Sequence, residues 1–192
     1  MCIDLHTGCT HSMYVEKDVI EGCKKGSHKS FESLYKQYAG RLLSIALRYS
    51  FTTFEAEDIL QDAFIKIFNS IKSYEYKGSF EGWLKRIVVT TAINHYHKDK
   101  TKQSQSDSCY VEDESEDVVD VISKMAADEL LDVIHTLPDG YRMVFNLYVI
   151  EGYTHKEIGD LLSISEGTSK SQLAKGRMLL KSKLLQKGIL AV

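Results

Sequence analysis

Proline is nearly missing from this chain: Pro138 is the single one among 192 residues. Stretches of turn residues are also few. A β-sandwich or barrel needs frequent turns, so this scarcity favours helices. No apolar run approaches the roughly 20 residues needed to span a bilayer. The N-terminus, MCIDLHTGCTHSMYVEKD, has no basic region followed by an apolar stretch, so it does not read as a secretory signal. Cysteine is sparse: Cys2, Cys9, Cys23 and Cys109 form no Cys-x-x-Cys pair of a zinc or redox site. Reduced, unpaired thiols suit the cytoplasm, so the expectation is a soluble cytoplasmic protein with no membrane insertion. Cys2, His6, Cys9 and His11 lie close together, but irregular spacing on a tail reads against a metal site. Met13 is an alternative start, because the amphipathic pattern begins near Val15.

What is present supports cores of ordinary size. Hydrophobic residues make up 43% of the chain, enough for one or two small domains. Charge divides the chain into three parts. Residues 1–100 carry 14 basic and 12 acidic residues, net +2; residues 101–124 carry two basic and seven acidic residues, net −5. Residues 125–192 carry eight of each, yet six basic residues and no acid follow from 170 onward. The middle segment, TKQSQSDSCYVEDESEDVVDVISK, has no sustained period and reads as a flexible acidic linker. The expected architecture is all-α, with an N-terminal tail over 1–13, helical domains over 14–100 and 125–192, and the linker over 101–124.

In the first domain the series Phe31, Leu34, Tyr35, Tyr38, Leu42, Ile45 and Tyr49 has helical spacing. A second helix is predicted from about Phe54 to Ser73, with Ala56, Ile59, Leu60, Ala63, Ile67 and Ile71 facing in. Lys77-Gly78-Ser79 separates it from a third, over Phe80 to about His97, with Trp83, Leu84, Ile87 and Ile93 apolar. In the second domain one helix is predicted over about Ala126 to Thr136. Pro138 suits the first turn of the next, whose apolar face is Met143, Val144, Leu147 and Tyr148. Thr154, with Glu157 three residues on, has capping-box spacing and opens a short helix through Leu162. After the turn Ser163-Ile164, a final helix runs from Ser165 or Glu166 to about Gln186.

The pair THKEIGDLL and SEGTSKSQLAKGRMLL has helix-turn-helix form. Gly159 sits where a tight crossing wants a small residue. On the final helix Leu173, Gly176, Leu180 and Leu184 form a packing stripe, while Lys170, Ser171, Ala174, Lys175 and Met178 form the expected exposed face. A major groove about 12 Å wide admits such a helix. Basic residues there point to DNA, although a solvated Lys-rich face is the plain structural reading.

Two further patterns lie in the first domain. In FEAEDILQDAFIKIF, Asp58, Asp62, Lys66 and Asn69 share a face, with Gln61 beside them. Glu55, Asp58 and Asp62 as metal ligands would require oxygens converging from elsewhere, so a solvated face or a partner contact is the better reading. His95 and His97, two apart, point about 200° from each other on a helix and do not chelate. No catalytic residue, metal or cofactor is expected. The loop Ser73–Phe80 and the helix after it mix aromatics with cations: Tyr74, Tyr76, Lys77, Trp83, Lys85, Arg86, Tyr96 and Lys98. Exposed aromatics beside cations can hold unstacked bases. Trp83 as a core residue and the loop as a mere connection is the competing reading.

At this point the residues resemble a known family. SFESLYKQYAGRLLSIALRY, AEDILQDAFIKIF, GSFEGWLKRIVVTTAINHYHKDK and LPDGYRMVFNLYVIEGYTHKEIGDLLSISEGTSKSQLAKGR are similar, in this order, to the two domains of a bacterial extracytoplasmic-function (ECF) sigma factor. The resemblance covers about residues 15–187. It implies a protein, not an enzyme, that binds core RNA polymerase, directs it to promoter DNA and starts transcription, with an anti-sigma factor as a possible further partner. By motif match it assigns Asp58, Gln61, Asp62 and Phe64 to polymerase binding. It assigns Tyr74, Tyr76, Lys77, Phe80, Trp83, Arg86 and Thr90 to the −10 element. Thr168, Lys170, Ser171, Lys175 and Arg177 fall on the −35 element. Thr90 stands where the family usually has Asn, and lysines replace arginines on the last helix. Lysine lacks the rigid fork that reads guanine, so shape and phosphate contacts carry more of the −35 readout. A stand-alone helix-turn-helix regulator is the alternative; it leaves the AEDILQDAF helix without a role.

Overall fold

A computed structural model describes residues 7–100 and 127–189. Among the described residues every regular element is helical and no strand occurs. The expected acidic linker lies outside them, as do the side chains of Cys2, His6, Cys9 and His11. The described residues pack as two units. One draws on 7–46 and 54–91, the other on 47–53, 92–100 and 127–189. This division does not follow chain order, because the ends of two long helices belong to the second unit.

The first unit is built from α1 (Thr7–Lys24), α2 (His28–Tyr49), α3 (Thr53–Ser70) and the start of α4 (Phe80–Lys100). α1 begins within the stretch that the sequence treats as a tail. Its last turn buries Ile20 and Cys23, and burial pushes the Cys23 thiol up to about 11. The α1–α2 junction is tight: a Cβ on Gly22 would meet Ser30 Oγ. Leu34, Tyr38, Leu42 and Ile45 of α2 are buried, as their spacing predicts. Tyr35, expected in the same series, is 48% exposed. All six expected inward positions around α3 are buried: Ala56, Ile59, Leu60, Ala63, Ile67 and Ile71. α3 itself stops at Ser70, and a single 3-10 turn covers Ile71–Ser73. The Ser70 hydroxyl donates to Lys66 O at 2.6 Å and the Ser73 hydroxyl to Ser70 O at 2.7 Å. Such bonds compete with the helical ladder and help end it.

The second unit adds α5 (Ala127–Ile134), α6 (Asp139–Phe145), α7 (His155–Leu162) and α8 (Glu166–Gln186). Pro138 is the N-cap of α6, one place before the predicted first-turn position. α6 runs into a wide π turn over Asn146–Ile150. Met143, Val144 and Leu147 are buried, whereas Tyr148 is exposed. Arg142 and Asn146 are buried here, and each makes at least one hydrogen bond. Asn146 donates to Arg48 O at 2.7 Å, satisfying a carbonyl in the last turn of α2. The Arg142 guanidinium bonds Asp139 at 2.8 Å and lies 3.6 Å from the Phe51 ring centre.

Candidate nucleic-acid interfaces

The C-terminal interface starts from a capped turn. The Thr154 hydroxyl accepts from Glu157 N at 3.3 Å, and the Glu157 carboxylate accepts from Thr154 N at 2.8 Å. This is the capping box that the sequence predicts. Ser163 adopts a left-handed conformation and ends α7. Gly159 explains why the turn is so short: a Cβ there would lie 2.9 Å from Ile164 O. The close neighbour is therefore the turn backbone, not a crossing helix. Ser165 then caps α8, its hydroxyl accepting from Thr168 N at 2.9 Å.

α8 is held from two sides, by α6 and by α7. The predicted packing stripe Leu173, Gly176, Leu180 and Leu184 is buried. Ala174, expected on the open face, is buried as well, because contact with two helices widens the buried arc. Ser169 is fully buried, and its hydroxyl lies 2.9 Å from His155 Nδ1. The His155 ring stacks on Tyr148 at 4.4 Å. Burial, and then the Lys170 charge, hold the His155 imidazole below its ordinary pKa.

The predicted contact residues of α8 are not equivalent. Lys170 is exposed and pairs with Glu166 at 2.8 Å, one turn back. That carboxylate raises the Lys170 pKa, so the ammonium stays charged. Ser171 and Lys175 are half-exposed, and the Ser171 hydroxyl donates to Thr168 O at 3.0 Å. The Thr168 hydroxyl already bonds Ser165, which makes it part of the cap. Arg177 is half-buried over the Tyr148 ring, 5.9 Å from its centre. Lys170, Ser171 and Lys175 thus form the accessible basic edge, next to a helix N-terminus that favours phosphate.

The second interface is the loop between α3 and α4. Tyr74 and Phe80 are buried. Phe80 stacks on Trp83 at 5.7 Å and meets Tyr38 edge-on at 5.8 Å. Tyr74 packs on Phe80 at 5.1 Å and on Trp83 at 5.3 Å. Its hydroxyl donates to Gly78 O at 3.1 Å, closing the loop on itself. These aromatics shape the loop; Glu75, Tyr76 and Lys77 are exposed at its tip, with Lys77 paired to Glu75 at 2.6 Å. Tyr76 has φ 59°, a left-handed backbone that costs a tyrosine energy. On α4, Arg86 is exposed and Trp83 half-buried. The half-exposed Thr90 donates its hydroxyl proton to Arg86 O at 2.8 Å.

α3 carries a third surface. Asp58 and Gln61 are exposed and Asp62 is half-exposed, while Phe64 is buried against Tyr35 at 4.7 Å. Lys66 donates to Thr91 at 3.0 Å. Beside Gln61 an open groove of about 570 Å³ runs between α2 and α3, lined by Tyr35, Leu43, Leu60, Phe64, Ile65 and Phe68. Ile65 is 52% exposed and Phe54 71%. These apolar groups are absent from the sequence-derived set. Ile65 falls out of phase with the buried positions of α3, which is the signal that could have revealed it. Among the described residues no three His, Cys, Asp or Glu side chains group as metal ligands, and no helix is long and apolar enough to cross a membrane.

Comparison with known proteins gives these surfaces a context. A model of Sigma-70 region 2 matches residues 34–102, and one of Sigma-70 region 4 matches residues 127–180. The chain is 31% identical to the ECF RNA polymerase sigma factor SigE of Mycolicibacterium smegmatis, over 81% of this chain and 62% of that relative, so it spans less than two thirds of that protein. It is 30% identical to the ECF RNA polymerase sigma factor SigW of Bacillus subtilis, over 88% of this chain and 96% of that relative. A solved structure, the sigma factor RpoE with the anti-sigma factor NepR from Bartonella quintana, aligns over 82% of this chain and 98% of its own, with 18% identity and a TM-score of 0.48. With both sigma regions matched in order, and a relative aligned over nearly its whole length, the chain belongs to the ECF RNA polymerase sigma factors.

Proposed function

We propose that this sigma factor binds core RNA polymerase, recognises −10 and −35 promoter elements and initiates transcription. The observation that carries the reading is the capped helix-turn-helix that leaves Lys170, Ser171 and Lys175 accessible on one edge of α8. Those lysines suit phosphate and major-groove contact at the −35 element. Residues 125–192 are then the −35 domain and 14–100 the domain for the polymerase and the −10 element, with 101–124 as the acidic tether. Asp58, Gln61 and Asp62, beside the apolar groove, supply a mixed polar and apolar docking face for the polymerase, with Phe64 as its floor. The same face suits an anti-sigma factor. Tyr76, Lys77 and Arg86 are the groups placed to meet an opened −10 strand. The work is done in the cytoplasm and involves no covalent chemistry.

Run-off transcription tests the reading. Purified core polymerase is given fragmented genomic DNA from the source organism, with and without the protein. Discrete new transcripts that share upstream elements are the expected result. No new transcripts, together with no binding to core, would overturn it and leave the stand-alone regulator.

A further inference from the structure

The N-terminal helix α1 lies outside both matched regions, the first of which begins at residue 34. Yet its last turn reaches the loop that carries Tyr76. The Tyr76 hydroxyl donates to Glu21 Oε1 at 2.6 Å. Lys24 Nζ lies 4.4 Å from the centre of the same ring and 3.5 Å from Glu21 Oε1. Glu21, Lys24 and Tyr76 therefore form a closed set: carboxylate, ammonium and phenol, each touching the other two. The Glu21 carboxyl is held below its ordinary range, first by the Tyr76 hydrogen bond. The Tyr76 phenol is pushed up to about 12, by burial first and then by Glu21.

The set is anchored from behind. Ile20 and Cys23, on either side of Glu21 in sequence, are buried. Gly22 sits against Ser30 with no room for a side chain. The last turn of α1 thus has a fixed position. Tyr76, by contrast, stands on a left-handed backbone at the tip of an irregular loop, 42% exposed. Its ring packs on buried Tyr74 at 5.0 Å, and Glu21 and Lys24 add the contacts that fix its orientation. With Lys24 over the ring and Glu21 on its hydroxyl, Tyr76 is held as a fixed aromatic platform. A fixed platform loses less freedom when a base stacks on it.

We propose that Glu21 is a positioning residue for capture of the unpaired −10 strand, holding Tyr76 in the orientation that accepts a base. The proposal rests on the promoter-opening function proposed above. It extends the DNA-reading apparatus to a helix that neither matched region includes.

The test uses the full-length protein with core polymerase. The probe is a fluorescent single-stranded oligonucleotide carrying the non-template −10 strand of a promoter found by run-off mapping. Glu21→Ala and Tyr76→Phe each remove the bond while keeping the ring. Each is expected to weaken oligonucleotide binding by about three- to tenfold, in line with the ordinary net worth of one solvent-exposed hydrogen bond. The double variant is expected to be no weaker than either single one, and Glu21→Gln, which keeps an acceptor, to recover most of the affinity. Affinity for core polymerase is expected to stay at the wild-type value in all four proteins. Wild-type affinity for the oligonucleotide in Glu21→Ala and Tyr76→Phe would overturn the proposal while leaving the sigma function intact. Additive losses in the double variant would overturn it too, because the two groups would then act separately. A wild-type holoenzyme that fails to bind the strand would remove the promoter-opening reading and the proposal with it.

Discussion

The α3–α4 loop and helix α8, the two surfaces proposed to meet DNA, are built by opposite means. α8 is regular: its cap, its glycine and its buried stripe fix the backbone, and the lysines project from known phases of a helix. The loop has no repeating backbone. It holds its shape through Tyr74, Phe80 and Trp83 packed beneath it, and one residue, Tyr76, adopts a costly left-handed conformation at its tip. Stability in α8 is spread over many ladder bonds and contacts. In the loop it is concentrated in a few rings. The loop is therefore the surface that a single core substitution disables.

That contrast predicts a graded set of effects. The largest is at the loop. Phe80→Ala removes a buried ring and is expected to destabilise the first unit by about 3–5 kcal/mol, seen as a lower midpoint in denaturant. Binding of the unpaired −10 strand falls with it. A loss below about 1 kcal/mol would mean that the loop does not depend on its aromatic base. The intermediate effect is at the turn before α8. Thr154→Ala removes the capping box and is expected to cost about 1 kcal/mol, with −35-dependent transcription reduced and −10 strand binding unchanged. A variant as stable as the wild type would show the cap to be redundant with the Gly159 turn.

The smallest effect is pH-dependent. The His155 imidazole is held below its ordinary pKa of 6.5 by burial, so its neutral form favours the folded state. Above that value its contribution is fully present; as pH falls through the lower folded pKa, the contribution is lost, because the unfolded chain binds the proton more readily. His155→Gln is therefore expected to show a shallower loss of stability than the wild type between about pH 7.5 and about pH 5.5. Equal slopes in thermal unfolding would remove His155 from the account.

The same contrast explains what the sequence revealed. α7 and α8 were legible to within a residue or so, because Thr154 and Glu157, Ser165 and the leucine stripe obey local rules of capping and periodicity. Ala174 was misplaced because burial by two helices is a tertiary fact with no local signal. In the first unit, every inward position predicted for α3 is buried, yet the burial of Phe64 and the exposure of Tyr35 and Ile65 were not legible. Periodicity shows which residues lie on one face but not how wide a gap the neighbouring helix leaves. The loop was legible only in composition. Nothing in SYEYKGSF separates Tyr74, which is buried, from Tyr76, which faces outward. That difference arises from a left-handed backbone and from α1, far away in sequence.

The central claim is that the two surfaces have separate tasks, with polymerase docking carried by neither. The most direct test is the double variant Lys170→Ala/Lys175→Ala, assayed for core binding and for transcription from promoters that have or lack the −35 element. The account predicts wild-type affinity for core and a loss of transcription confined to promoters that need the −35 element, with a salt dependence reduced by about one unit of slope for each phosphate contact removed. Loss of core binding in the variant, or unchanged transcription from −35-dependent promoters, would contradict it.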